Sequence, residues 1–321
     1  MLFSALERLQ RPIARSQRDR AALAGSLVVL GYWRSGTTLL HEYLSLDRRY
    51  AFPRTYACMH PHHFVLTQAG ALKRSGPVQQ RPMDELQVSA ESPQEDEFAL
   101  LGLGARSPYE ALLSPAHLPE ALLLSDPDDL SPTERQQWLE IFSAFVADVS
   151  SVEGGRPLVL KSPPHGYRMR ILRQLLPDVR FVIIVRSPGL VFESAVLMWR
   201  SLFELYALTA IPPEEDTRRA VLQDRPRFEA KLTQGLAGIP SNRVAFVRYE
   251  ELVRDPLQVI RGLYERLELD DFASLERAIG AEHAKRARYV ARNAQPPAPW
   301  AEAVRSAWAP IFRHYGYEPD C

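Results

Sequence analysis

Cysteine is scarce: the 321 residues hold only Cys58 and Cys321. Two such residues form no disulfide framework and no metal-ligand spacing, and the last residue of the chain is a poor staple. The scarcity points to a reducing compartment, so a cytoplasmic protein is expected. Net charge is missing as well, because Lys+Arg and Asp+Glu both number 39. With no global basic field, nothing argues for nucleic acid or an anionic membrane as partner, and any anion site must be built locally. No apolar run reaches the roughly 18 residues that would read as a bilayer span. The opening stretch, MLFSALERLQRPIARSQRDR, lacks the apolar segment of a signal peptide. An amphipathic membrane-surface helix is one reading of it. The simpler one is a helix packed on the domain through Leu2, Phe3, Leu6 and Leu9. Internal repeats and low-complexity linkers are absent too.

What is present reads as one globular domain over residues 1–321, with 46% hydrophobic and 24% charged residues. Four short apolar runs read as buried strands: Ser26 to Gly31, Leu158 to Lys161, Arg180 to Val185 and Val244 to Arg248. Helical spacing follows each of them, over Thr37 to Leu46, Tyr167 to Leu176, Gly189 to about Tyr206, and Pro256 to Leu267. Strands alternating with helices predict a doubly wound, mainly parallel α/β sheet with helices on both faces. Between the first two strands lies an insert, about 50–150, which is partly helical over Glu95 to Leu103 and Thr133 to Val149. An insert over the carboxyl edge of a sheet is suited to be a lid or an acceptor pocket. Its apolar residues Phe98, Leu100, Leu101, Trp138 and Phe142 read equally as pocket lining or as core. A proline-rich loop at Pro296, Pro297 and Pro299 precedes a last helix ending near Tyr315.

The first strand runs directly into Gly31-Tyr32-Trp33-Arg34-Ser35-Gly36-Thr37-Thr38 and a helix. Such a unit aims free backbone N–H groups and the positive helix end at one point, where a phosphate can bind. The frame fits G-x-x-x-x-G, but Thr37 stands where a nucleoside triphosphatase has lysine, and the cation, Arg34, comes before the second glycine. This weighs against a kinase using ATP and magnesium. A ligand-free tight turn is the bland alternative. The third strand ends in Arg186, at the ligand edge of a parallel sheet, with Ser194 eight residues on in the next helix. A salt bridge closing the sheet is the bland alternative for Arg186.

Arg34-Ser35-Gly36-Thr37-Thr38 resembles the phosphosulfate loop of sulfotransferases that use 3'-phosphoadenosine 5'-phosphosulfate (PAPS). The resemblance implies that Arg34 grips the 5'-phosphosulfate and that the amides and hydroxyls of Ser35, Gly36, Thr37 and Thr38 complete the cradle. Leu39 stands where many relatives place a tryptophan against the adenine. Arg186 with Ser194 is similar to the family's 3'-phosphate site, where a guanidinium makes planar two-pronged contacts. Arg248 to Pro256 resembles the family's Tyr-Glu-(Asp/Glu)-Leu segment ending in Asp-Pro, which implies that Tyr249 lies near the adenine. Asp255-Pro256 also reads simply as a helix start. The family's Arg-Lys-Gly loop is not found. Lys285, Arg286, Arg288 and Arg292 are substitutes by position, with a basic helix face as the plainer reading.

Sulfuryl transfer needs a base for the acceptor proton and a cation for the leaving oxygen, and it needs no metal. Lys161-Ser162-Pro163-Pro164-His165 is similar to the family's Lys-Thr-His segment, although histidine follows lysine by four residues rather than two. It implies Lys161 at the leaving oxygen and His165 as base, with a structural hydrogen bond as the competing role for His165. The rival base is Glu95, within the acidic run Glu91 to Glu97. There Ser92 and Glu95 also read as a capping box for the following helix. His60, His62 and His63 read as a pocket rim or solvated loop, since Pro61 interrupts the cluster. The expected function is sulfuryl transfer from PAPS to a hydroxyl or amine of a small-molecule, lipid or carrier-bound acceptor. A P-loop kinase and a non-catalytic nucleotide-binding protein are the alternatives.

Overall fold

The computed structural model describes residues 2–74, 78–80, 87–286 and 295–319. Four strands form its central sheet: β1 (Leu27–Leu30), β2 (Val159–Lys161), β3 (Arg180–Val185) and β4 (Val244–Arg248). All pair in parallel, in the order β2-β1-β3-β4. β1 is central, with Leu27 opposite Val159 on one side and Arg180 on the other. The chain leaves β1 towards one edge to make β2, then returns past β1 to make β3. The reversal opens a crevice at the carboxyl ends of β1 and β3, where ligands bind in open α/β sheets.

β1, β2 and β3 read as near-continuous apolar runs because both faces of the sheet are buried there, whereas on the edge strand β4 Phe246 is half exposed. Alternate side chains serve two separate cores. Val28, Leu30, Leu160, Phe181 and Ile183 enter the larger core with Trp33, Trp138, Phe142, Trp199, Phe228 and Trp308. Leu27, Val29, Val159, Val182 and Ile184 enter the smaller one with Leu40, Leu44, Ile260, Leu263 and Tyr264.

The helices that position the site are α1 (Leu2–Gln17), α2 (Thr37–Leu44), α3 (Glu97–Gly102), α4 (Pro132–Val152), α5 (Pro188–Tyr206), α6 (Glu214–Leu236), α7 (Pro256–Arg266) and α8 (Phe272–Arg286). α2 and α7 belong to the smaller core. α4 and α5 belong to the larger one, where Leu100, Trp138 and Phe142 are wholly enclosed. Those three residues of the insert therefore build core rather than line a pocket. The insert starts and stops at one place, because Ala51 bridges in parallel to Leu158 beside β2.

α1 departs from expectation. Leu9 is 59% exposed and Ile13 also faces outward, while Gln10 and Ala14 are buried. The helix docks through polar contacts: Gln10 Nε2 donates to the Pro61 carbonyl (3.1 Å), and the Arg18 guanidinium just beyond the helix pairs with Asp148 (2.6 Å). The side chains of Leu2 and Phe3 lie outside the described residues, as do Arg288, Arg292 and Cys321. α6 and α8 were not legible as helices from apolar spacing. The buried face of α6 includes Thr217, Arg218, Asp224 and Arg225, and Pro226 lies inside it. No described helix is long and apolar enough to cross a membrane.

Candidate functional site

The turn after β1 is held by its own backbone and by its neighbours. Ser35 donates to the Tyr32 carbonyl twice, from its amide (3.1 Å) and from its hydroxyl (2.7 Å). The proton of the Ser35 hydroxyl is thus committed to the turn. Gly36 has φ +100°, and a Cβ there would stand 2.3 Å from Cδ2 of Tyr249. Only glycine meets both demands. Arg34 also takes a positive φ of 69°, a conformation that L-residues seldom adopt and that tends to mark functional turns. Gly36 is the N-cap of α2 and offers no side-chain cap. The first amides of α2 have no acceptor within the helix, as at every helix start, and they stand at the carboxyl end of β1.

The second anchor lies against the first. Arg186 Nη1 donates to the Arg34 carbonyl (3.1 Å), and Arg34 Nε donates to Ser194 Oγ (3.0 Å). The Arg186 guanidinium carbon stands 4.6 Å from the centre of the Tyr249 ring, and that ring backs Gly36. Arg34, Gly36, Arg186, Ser194 and Tyr249 thus share one crevice, drawn from β1, β3, β4 and the helices that follow them. Glu250 fixes the segment: it accepts from the Ser187 amide (3.1 Å) and from the Tyr317 hydroxyl (2.7 Å). Asp255 Oδ1 accepts from the Gln258 amide (3.0 Å), so Asp255-Pro256 starts α7 as its sequence suggests.

The third group comes from the end of β2 and from the insert. Lys161 Nζ donates to Glu95 Oε1 (2.6 Å) and to Thr38 Oγ1 (3.4 Å). Thr38 ties this pair to the turn after β1. The other carboxylate oxygen, Glu95 Oε2, accepts from the Tyr109 hydroxyl. The Lys161 side chain is 2% exposed and that of Glu95 12%, so this ion pair sits at the floor of an opening rather than on the surface. Glu95 makes no capping box with Ser92. The Ser92 hydroxyl accepts from the Ser89 amide (3.0 Å), and the Glu97 amide at the start of α3 donates to Ser162 Oγ (3.2 Å).

Glu95, Asp96 and Glu97 each take a different basic side chain from the end of β2 and the segment after it. Glu95 takes Lys161, Asp96 takes His165 (2.9 Å) and Glu97 takes Arg168 (2.5 Å). The second and third pairs are fully enclosed. Burial alone would raise the Asp96 carboxyl. The charge and hydrogen bond of His165, with help from Ser162 and Arg168, outweigh it and hold the group below the ordinary aspartate value. His165 is sealed under the edge of Phe142, with no exposed surface. The structure therefore brings Lys161 and Glu95 to the crevice and leaves His165 in the wall behind it.

His41, on the buried side of α2, is pushed down to about 3 by burial and by the Lys161 charge. It stays neutral, and its Nε2–H donates to the Val159 carbonyl (3.2 Å), joining α2 to β2. Tyr109, Asp96 and Arg168 carry no local signature in sequence. The Ser107-Pro108-Tyr109-Glu110 capping box announces a turn and says nothing of what its tyrosine touches. Of the remaining candidates, Arg286 pairs with Glu42 of α2 (2.7 Å) and Lys285 lies beside Glu282 (3.4 Å). His60 and His63 stack on each other at 5.2 Å, and no metal-holding cluster occurs among the described residues.

The comparisons with known proteins agree with this geometry. Residues 26–274 match the model of a sulfotransferase family. The omega-hydroxy-beta-dihydromenaquinone-9 sulfotransferases Stf3 of Mycobacterium bovis and Mycobacterium tuberculosis are each 31% identical over 293 residues, covering 91% of this chain and 75% of theirs. Among solved structures, the fold is similar to sulfotransferase STF9 from Mycobacterium avium (TM-score 0.72, 20% identity, 97% of this chain and 80% of that one). It is also similar to sulfotransferase STF1 from Mycobacterium tuberculosis (TM-score 0.67, 18% identity, 95% and 81%). The family match over residues 26–274 and the similarity to the Stf3 enzymes along most of both chains lead to one assignment: the protein belongs to the sulfotransferase family and is an enzyme of that family.

Proposed function

We propose that the donor is PAPS, that Glu95 is the general base, and that the acceptor is an alcohol on a lipid such as a quinol with a long side chain. Contact between the two anchors carries the reading of the donor: a nucleotide with a 5'-phosphosulfate and a 3'-phosphate needs two anion sites about one nucleoside apart. The uncapped start of α2, with Thr37 and Thr38, suits the phosphosulfate. Arg186 and Ser194 suit the 3'-phosphate. Arg34 reaches from the first turn to Ser194 (3.0 Å) and so serves both ends. Tyr249 offers its ring to the base. The lipid acceptor is supported by the activity for which the Stf3 relatives are named. The insert would form the acceptor wall of the single domain.

In this reading the acceptor oxygen attacks sulfur in line, and the new S–O bond forms as the bond to the bridging oxygen breaks. The electron pair of the broken bond stays on that oxygen, which becomes part of the 5'-phosphate of adenosine 3',5'-bisphosphate. Lys161, released from Glu95, donates to it as its charge grows. The acceptor proton passes to Glu95, whose carboxylate lies next to that lysine. His165 has no surface from which to meet an acceptor, so the role of base passes from it to Glu95. No step requires a metal.

The test is thermal stabilisation by adenosine 3',5'-bisphosphate against ATP, followed by transfer of labelled sulfate from PAPS to a soluble short-chain ω-hydroxy prenyl quinol. A ligand at about 100 times its Kd adds about 2.7 kcal/mol to native-state stability. The bisphosphate should therefore raise the melting temperature clearly, and ATP far less. Equal stabilisation by ATP would sink the donor assignment, and transfer that persists in Glu95→Gln would sink the base.

A further inference from the structure

Tyr109 is a buried phenol that the mechanism above does not use. It sits in the insert, on the short 3-10 turn Pro108–Leu112, and the Ser107 and Glu110 capping box fixes the start of that turn. Its ring is wedged between Phe98 (5.1 Å) and the edge of Trp199 (6.1 Å). Trp199 belongs to α5, the helix that carries Ser194. The Tyr109 hydroxyl accepts from Trp33 Nε1 (3.4 Å), which belongs to the phosphate turn, and donates to Glu95 Oε2. One side chain thus touches the turn after β1, the helix that carries Ser194, and the carboxylate. Burial, and then the Glu95 charge, push the phenol well above its ordinary value of 10, so it remains a donor at any working pH.

The two oxygens of Glu95 have different partners. Lys161, on Oε1, is the group needed at the leaving oxygen once donor is bound. Tyr109, on Oε2, has no such second duty. We propose that Tyr109 is a positioning residue for Glu95: its hydroxyl fixes Oε2, so that Oε1 is the oxygen left to face the acceptor when Lys161 turns to the phosphosulfate. The inference rests on the reading of Glu95 as base. Tyr109 keeps its own proton throughout, and the acceptor proton ends on Glu95 Oε1. Without the phenol the carboxylate is free to rotate or to follow Lys161, and the proton-accepting geometry is populated only part of the time.

The experiment is a double-mutant cycle of Tyr109→Phe and Glu95→Gln. It is read with the soluble quinol and also with water as nucleophile, scored as labelled sulfate released from PAPS, so that it does not depend on the choice of acceptor. Tyr109→Phe should lower kcat about 10- to 100-fold, as expected for a hydrogen bond to a charged group. The Kd of the bisphosphate and the acceptor KM should stay within about twofold, because transition-state geometry rather than binding is lost. In the Glu95→Gln background the same change should have no further effect. An unchanged kcat in Tyr109→Phe alongside an inactive Glu95→Gln overturns the role of Tyr109 and leaves the base intact. An active Glu95→Gln overturns the base itself. Equal losses in both backgrounds mean that Tyr109 acts through packing, and the proposal falls. If Tyr109→Phe folds poorly, 3-fluorotyrosine at position 109 keeps the ring in place and alters the donor strength; an unchanged kcat there is equally fatal.

Discussion

His165 shows how burial and a partner bear on a reading made from residue type. A histidine just after the strand-end lysine looks like a base, yet its Nε2 lies 2.9 Å from Asp96 with neither side chain exposed. Removing one member of a buried pair leaves an uncompensated charge or polar group and costs about 3–5 kcal/mol. His165→Ala should therefore lower the melting temperature and the folded yield, while the fraction that folds still binds the bisphosphate. Thermal melts with and without ligand check this. A variant such as His165→Gln that melts normally but has lost turnover would return the histidine to the chemistry. Glu95 carries the opposite lesson. It sits in the same acidic run, but its partner is Lys161, 66 positions away, and no local pattern announces that pairing. The turns after β1 and β3 could be read as candidates because each is local: a strand, a turn, and a cation within a few residues. Glu95 could be read only as a rival to His165, and Tyr109 not at all, because their meeting with Lys161 is assembled from the insert.

Among the elements, the turn between β1 and α2 is the most constrained. Its Gly36 combines φ +100° with a neighbour 2.3 Å from any added Cβ. Gly36→Ala must either push Tyr249 aside or unwind the start of α2, in addition to the roughly 1–2 kcal/mol of a left-handed L-residue. Affinity for the bisphosphate should fall at least tenfold, with a smaller change in melting temperature, and calorimetric titration reads both arms. Wild-type affinity would show that the turn is not the donor cradle. The strands were legible to within a residue or two because β1, β2 and β3 are buried on both faces and even the edge strand β4 is mostly apolar. α6 was not legible. Its inward face is held by charge and hydrogen bonding: Arg218 on Glu193 (2.7 Å), and Tyr32 (3.1 Å) and Tyr167 (2.6 Å) on Asp224. Hydrophobic periodicity does not see contacts of that kind.

For the molecule as a whole, the enclosed Asp224 makes stability depend on pH. Burial lifts its carboxyl to about 6, against the opposing pull of Tyr167, Arg227 and Tyr32. A group whose folded value lies above its unfolded value binds its proton more tightly in the native state. Its contribution is complete below about 4 and is lost as pH rises through about 6. Asp224→Asn removes this titration and keeps an acceptor for both phenols. Urea unfolding at several pH values should show wild type losing about 2–3 kcal/mol relative to the variant between those limits. Parallel curves would mean that Asp224 ionises normally. Carboxylates held low, such as Asp96, act in the opposite sense and cancel in the comparison.

The bridge between Ala51 and Leu158 has a consequence for descent. The Ala51 amide donates to the Pro157 carbonyl (2.8 Å) and the Val159 amide donates to the Ala51 carbonyl (2.7 Å), so the segment between them leaves and rejoins the sheet through a single doorway. Another segment spliced in at that doorway would meet the same proposed nucleotide site, since β1, β3 and β4 and the turns after them come from outside it. It would bring its own carboxylate and its own wall. Lineages could thus trade one acceptor for another by exchanging a cassette, and a chimera cut at those two positions would inherit its donor from the frame and its acceptor from the guest.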